Sequence, residues 1–210
     1  MDPEKIFEWT RAERLSLAGF LDGLDAHEWQ VTSLCPDWTV HDVVAHLTLA
    51  TRTGVRDLLV GVIRSGGNFN RMEARMARDR AARFGPAELV AQFRESADSR
   101  RRSPGSGLLD PLVDALVHGQ DIARPLGRLR EMPLEPALAG LEYARRSSFY
   151  GARKRFRGTR LVATDLDWSA GDGPDEVRGP VADLLMLATG RAAGLATLSG
   201  RGAERIAARM

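Results

Sequence analysis

Residues 35–47 read CPDWTVHDVVAHL, and a change of pattern inside this stretch decides the fold. Cys35, Pro36 and Asp37 belong to a loop that also takes in residues 32–34, because proline disfavours helical backbone in the residue before it. Thr39 and Asp42 then match the capping pattern in which a hydroxyl and a carboxylate three residues on each cover a free backbone N–H. From there Val40, Val43, Val44 and Leu47 recur at helical spacing. A helix therefore opens at Thr39 and carries His46 on its apolar side. Apolar positions continue through Leu49, Val55, Leu58, Leu59 and Ile63, which predicts one helix to about residue 64, ended by Gly66-Gly67-Asn68.

Working outward, residues 3–25 form an amphipathic helix on Ile6, Leu15, Leu17, Phe20, Leu21 and Leu24. Residues 70–83 and 86–101 are Arg-rich helical segments parted by Gly85-Pro86, and SPGSG at 103–107 is a turn. Residues 108–124 are helical, with Leu112, Val113, Leu116, Val117 and Ile122 apolar, until Pro125 stops them. Residues 134–154 read as helix again. After Gly158 the character changes. RLVAT at 160–164 reads as a strand, and 165–176, rich in Asp and Gly and holding Trp168, as a hairpin connection. Pro180 is placed to open a helix over 181–198, with a further one at 202–210. The expected fold is mainly α, a helical bundle over 1–152 followed by a small α+β domain over 153–210.

Composition removes several classes. Of the 210 residues, 43% are hydrophobic and 28% charged, an ordinary globular balance. No stretch approaches the roughly 20 apolar residues that span a bilayer. The opening MDPEKIFEWTRAER lacks the apolar core of a secretion signal, so a cytoplasmic protein with no membrane partner is expected. Cys35 is the single cysteine, which rules out an internal disulfide or a cysteine cage for a metal. The net charge is +2, and all basic residues except Lys5 and Lys154 are Arg. Arg clusters at 71–83 and 94–102, but acidic residues alternate with it and aromatics are nearly absent. That pattern fits a solvated helix face better than a nucleic-acid footprint. An Arg-lined entrance for an anionic small molecule is a further reading. No phosphate-binding loop or nucleophile elbow is present.

The chemistry concentrates in two helices. Of His27, His41, His46 and His118, only His46 and His118 lie on apolar helix faces. Metal sites of helical bundles are built from such inward residues. Asp114 stands four residues before His118 and so shares its face. His46, Asp114 and His118 make three ligands and leave a coordination position open, the pattern of catalytic zinc sites. Each histidine has a plainer reading as a core residue bonded to a carbonyl or water. Asp121, three residues after His118, is either a partner that orients the imidazole or a surface charge. Asp110 is a rival carboxylate. His41 is expected to face solvent, His27 to lie in a polar loop, and Cys35 to be a small packed residue with no base placed beside it.

Residues 35–47 resemble the second-helix motif of the mycothiol-dependent maleylpyruvate isomerase family, a branch of the DinB-like bundles. His46 stands where that motif, W-x-V-x-D-x-x-x-H, carries its metal-ligating histidine. Residues 114–127, DALVHGQDIARPLG, resemble the family's second metal motif, E-x-x-x-H-x-x-D, with His118 and Asp121 at its His and Asp. Asp114 replaces its usual Glu and reaches about 1 Å less far. Thr164-Asp165, Trp168, residues 177–180 and Gly190-Arg191 resemble the small C-terminal domain of the family. The resemblance implies a DinB-like four-helix bundle with a divalent metal, foremost zinc, with nickel or iron as alternatives. It also implies mycothiol as thiol cosubstrate, acting on a small electrophile. The metal would lower the thiol pKa, and the thiolate would add to an electrophilic carbon. In an isomerase, the resulting single bond rotates before elimination. Arg191 is implied as a catalytic and cofactor-binding residue, its guanidinium suited to an anionic group. A metal-dependent hydrolase, and a non-catalytic metal- or ligand-binding regulatory module, are the alternatives. A homodimer is one assembly open to such amphipathic helices.

Overall fold

The computed structural model describes residues 1–210. The chain divides into two compact units, Met1–Arg130 and Glu131–Met210. The first contains six helices: α1 (Pro3–Asp22), α2 (Val40–Leu49), α3 (Val55–Arg64), α4 (Phe69–Ala81), α5 (Pro86–Glu95) and α6 (Asp110–Ala123). Helices α1 and α2 each pack on both α5 and α6, so these four close a ring with α1 opposite α2. Its interior holds Leu17 and Leu21 of α1, Val40, Val43 and Val44 of α2, Leu89 and Phe93 of α5, and Ile122 of α6, all buried. Helix α4 packs on α2, and α3 on α4.

The one long helix expected from Thr39 to about residue 64 is two. Helix α2 ends at Leu49, and α3 starts at Val55 with Gly54 as its N-cap in extended backbone. Thr51, Thr53 and Gly54 are weak helix formers. The Asp57 carboxylate accepts the Gly54 N–H at 3.0 Å, which favours a fresh start there. The expected helix over 86–101 likewise ends early, at Glu95, and continues as a 3-10 turn over Ser96–Asp98. That turn is tied to α1, because Arg14 Nη1 donates to the carbonyls of Ser96 (2.8 Å) and Ser99 (3.3 Å).

The second unit holds α7 (Leu134–Arg146), α8 (Ala152–Arg155), α9 (Val181–Ala188), α10 (Arg201–Ala207) and three strands. Strand β1 (Thr159–Ala163) pairs antiparallel with β2 (Ser169–Ala170) and parallel with β3 (Asp175–Gly179), giving the order β2-β1-β3. The Asp- and Gly-rich stretch thus contains the hairpin return to β2, and the strand after it runs directly into Pro180. The Asp165 carboxylate accepts the Val181 N–H at 3.1 Å and caps α9. Helix α9 stops at Gly190, whose φ of +93° is open to a residue without a Cβ. Sequence character changes near Gly158, whereas the compact units part at Arg130, because α7 packs on α9. No helix is long and apolar enough to cross a membrane.

Candidate metal centre

Helix α2 is fixed at its start by the expected reciprocal cap. Thr39 N–H donates to Asp42 Oδ2 at 2.9 Å, and Asp42 N–H to Thr39 Oγ1 at 3.2 Å. With Val40, Val43, Val44 and Leu47 committed to the core, His46 points towards α6. Helix α6 enters on Pro111 and presents Asp114, His118 and Asp121 one turn apart. His46 Nε2 lies 3.7 Å from Asp114 Oδ2, and His118 Nε2 lies 3.5 Å from Asp114 Oδ1. The two imidazole rings are 5.0 Å apart between centroids. The shorter Asp therefore still reaches both histidines. Asp110, the rival carboxylate, turns the other way and accepts the Gly107 N–H at 2.6 Å.

Behind His118 lies a second layer. Its Nδ1 is 2.9 Å from Asp121 Oδ2, and Asp121 is fully buried. A neutral His118 protonated on Nδ1 donates to this carboxylate and leaves Nε2 free to bind a cation. The surface-charge reading of Asp121 does not hold. Cys35 Sγ–H donates to the same Asp121 oxygen at 3.2 Å, and the sulfur lies 3.6 Å from His118 Nδ1. The loop is held in place by Leu34 N–H, which donates to the Asp121 carbonyl at 3.0 Å. Trp38 lies against both histidines, 5.2 Å from the His46 ring and, nearly parallel, 6.5 Å from that of His118. Cys35 and Trp38 are the site residues that sequence reasoning passed over. Both stand in the opening motif, but the partners of Cys35, and one of the two rings against Trp38, lie some 80 residues away.

His41 departs from the expectation of a solvent-facing ring. It is half-buried, with Nε2 3.0 Å from the Phe84 carbonyl and its ring edge-on to Trp29. It braces α2 outside the metal centre. Arg191 belongs to the second unit. Its backbone N–H donates to the Met186 carbonyl at 2.9 Å, closing the turn at Gly190, and its Nη1 donates to Thr189 O at 3.0 Å.

The electrostatics are those of a cation site. Burial works to raise the Asp114 pKa, but the two facing imidazoles outweigh it and hold this carboxylate well below its usual range. Burial works against a charged His118, but the Cys35 sulfur, Asp114 and Asp121 outweigh it and hold the imidazole pKa well above its ordinary value. The Asp114 and Asp121 carboxylates thus favour a positive charge at this point, carried by the His118 imidazolium until a metal displaces its Nε2 proton. Tetrahedral ligation at bond lengths near 2.0–2.1 Å separates donor atoms by about 3.3–3.4 Å. The observed 3.5 and 3.7 Å run to the two different Asp114 oxygens, and one donor atom from each residue lies within 4.8 Å of the others, so the three side chains must draw together to ligate. His46, Asp114 and His118 therefore fit a divalent ion.

Comparison with known proteins finds a likeness for the first unit and for the fold. Residues 10–106 match the family model described as the mycothiol maleylpyruvate isomerase N-terminal domain. The match takes in Cys35, Trp38 and His46 and ends before α6. The whole chain is similar in fold to the crystal structure of the mycothiol-dependent maleylpyruvate isomerase, at 13% identity and a TM-score of 0.66, covering 96% of this chain and 93% of that one. A histidine-to-alanine mutant of that enzyme matches at 14% identity and a TM-score of 0.64, with the same coverage. No curated protein matches the sequence.

Proposed function

We propose that the protein is a metal-dependent thiol transferase or isomerase that joins a low-molecular-weight thiol, mycothiol or a close analogue, to a small electrophile. The observation that carries this reading is the convergence of His46, Asp114 and His118 on one point. The domain family of residues 10–106 and the fold of the chain support the thiol chemistry. Zinc is the first choice of metal, although two imidazoles and a carboxylate also accept nickel or iron. When bound, such an ion supplies the positive charge that stabilises a thiolate at neutral pH.

The chain's own residues do the rest. Asp121 holds the His118 ring in one orientation and one tautomer. Cys35 donates to Asp121 and keeps that carboxylate from turning away. Trp38 covers both imidazoles and screens them from water. With three protein ligands, a place is left for the thiol. The family resemblance alone is what suggests Arg191 for an anionic group of the thiol or substrate.

The test is metal content by mass spectrometry on tag-free protein, beside His46→Ala and His118→Ala. Near one equivalent in the parent and little in either variant is expected. A parent that takes up neither zinc nor nickel would overturn the reading. For loaded protein, turnover that needs no thiol would replace the transferase by a metal-dependent hydrolase.

A further inference from the structure

A second feature of the first unit lies outside the metal ligands. Between α1 and the segment that leads into α6 is a cavity of about 190 Å³. At roughly 30 Å³ per water this is space for about six waters, the size of a small organic acid. Arg14, Arg100, Arg101 and Arg102 line it, with Ile6 and Phe7 as apolar wall. Arg100 is neutralised, since its Nη2 donates to both Glu4 oxygens at 2.6 and 2.8 Å and its guanidinium lies over Phe7. Arg101 and Arg102 are exposed and form no ion pair, and the side-chain hydrogen bond of Arg102 is a 3.4 Å bond to the Ser106 carbonyl.

Arg14 is the telling residue. It is only 3% exposed. Its Nη1 is held by the carbonyls of Ser96 and Ser99, while Nε and Nη2 donate to no protein atom. A buried guanidinium without a carboxylate partner is costly unless something supplies the charge. Burial lowers its pKa, against the more distant charge of Asp114. Guanidinium groups pair best with planar oxyanions that accept two parallel N–H bonds.

We propose that this cavity is a binding site for a small organic carboxylate, its charged end on Arg14 and Arg101 and its apolar body against Ile6 and Phe7. The site goes beyond the metal reading, because none of its residues is a proposed ligand.

The experiment titrates the full chain with benzoate, following backbone amide shifts at residues 6–14 and 99–102 by NMR and affinity by calorimetry. Benzamide and inorganic phosphate serve as comparison probes. Benzoate is expected to bind, benzamide to bind at least about tenfold more weakly, and phosphate more weakly than benzoate. Arg14→Gln should weaken benzoate about tenfold and Arg101→Gln at least threefold. The Arg101 side chain is exposed and makes no hydrogen bond or ion pair with the protein, so Arg101→Gln decides the matter even if the Arg14 variant fails to fold. Metal-stripped His46→Ala protein should still bind benzoate, whether or not the parent proves to hold a metal. Four results overturn the proposal: no benzoate shifts at these residues, benzamide or phosphate as tight as benzoate, affinity unchanged in Arg101→Gln, or binding lost in His46→Ala.

Discussion

Helices α2 and α3 are each ten residues long, follow one another in the chain, and open alike, with VHD and VRD. Both are rich in apolar residues. Yet α2 buries Val40, Val43, Val44, Ala45 and Leu47, and α3 buries nothing. Val55, Leu59 and Ile63 of α3 are 62%, 58% and 78% exposed. The difference lies in their neighbours. Helix α2 is packed by α4, α5 and α6, and α3 has α4 as its main neighbour. Gly61 allows that one contact, since a Cβ there would come within 2.8 Å of Met72 Cγ. An apolar stripe says which face of a helix seeks cover; only the surrounding helices decide whether cover arrives. The candidate metal centre is built on the helix that has it, where packing fixes His46.

The sharpest way to break this contrast is to remove equivalent side chains. Leu47→Ala in α2 is expected to cost about 2–5 kcal/mol of unfolding free energy in urea, and Leu59→Ala in α3 no more than about 0.5 kcal/mol. Equal losses would mean that α3 is covered in solution. Amide exchange sharpens the same point. The α2 amides should open only near the global unfolding free energy, whereas those of α3 should exchange through a smaller local opening. The caps differ on a finer scale. Thr39→Ala removes a side chain that accepts the Asp42 N–H and should cost about 1 kcal/mol. Asp57→Ala removes only the carboxylate over Gly54 N–H and should cost roughly 0.3–1 kcal/mol. A larger loss at Asp57 would show that α3 needs its start more than α2 does.

The smallest effect concerns acid stability. Glu28 precedes the loop into α2 and accepts from Arg128 Nε and Nη2, both at 2.8 Å. The hydrogen bonds from Arg128 come first in holding the Glu28 carboxyl below its ordinary pKa. A depressed carboxyl contributes stability that is present above its unfolded pKa, near ~4.3, and is lost as pH falls through the lower folded value. Glu28→Gln should therefore lower Tm at pH 7 and flatten its fall between pH 5 and pH 3. An unchanged slope would show the clamp to be without weight.

Much of the architecture was legible in residues 35–47 and 108–124. The Thr39–Asp42 cap, the apolar spacing and the Asp114–His118 interval are local, so helix geometry alone turns them into a start point and a shared face. The break at residues 50–54 was harder to read, because the apolar spacing runs on across it while weak helix formers and a cap end the helix. The first unit also closes at Arg130, since α7 chooses α9 as its partner, a contact between residues far apart in the chain.

The candidate site divides the same way. His46 stood out by its place on an apolar helix face, and Asp114, His118 and Asp121 by the 3.6-residue repeat that sets them on one face of their helix. That His46 meets Asp114, that Cys35 shares Asp121 with His118, and that Trp38 covers both rings depended on α2 packing against α6. By itself the sequence determined the helices, their caps and the ligand types each face could offer, since those follow from near-neighbour geometry. Only the tertiary structure decided which faces are covered, which thiol sits behind the histidine, and that Arg14 is buried without an anion. Those facts depend on contacts between different helices and loops, and no local spacing encodes them.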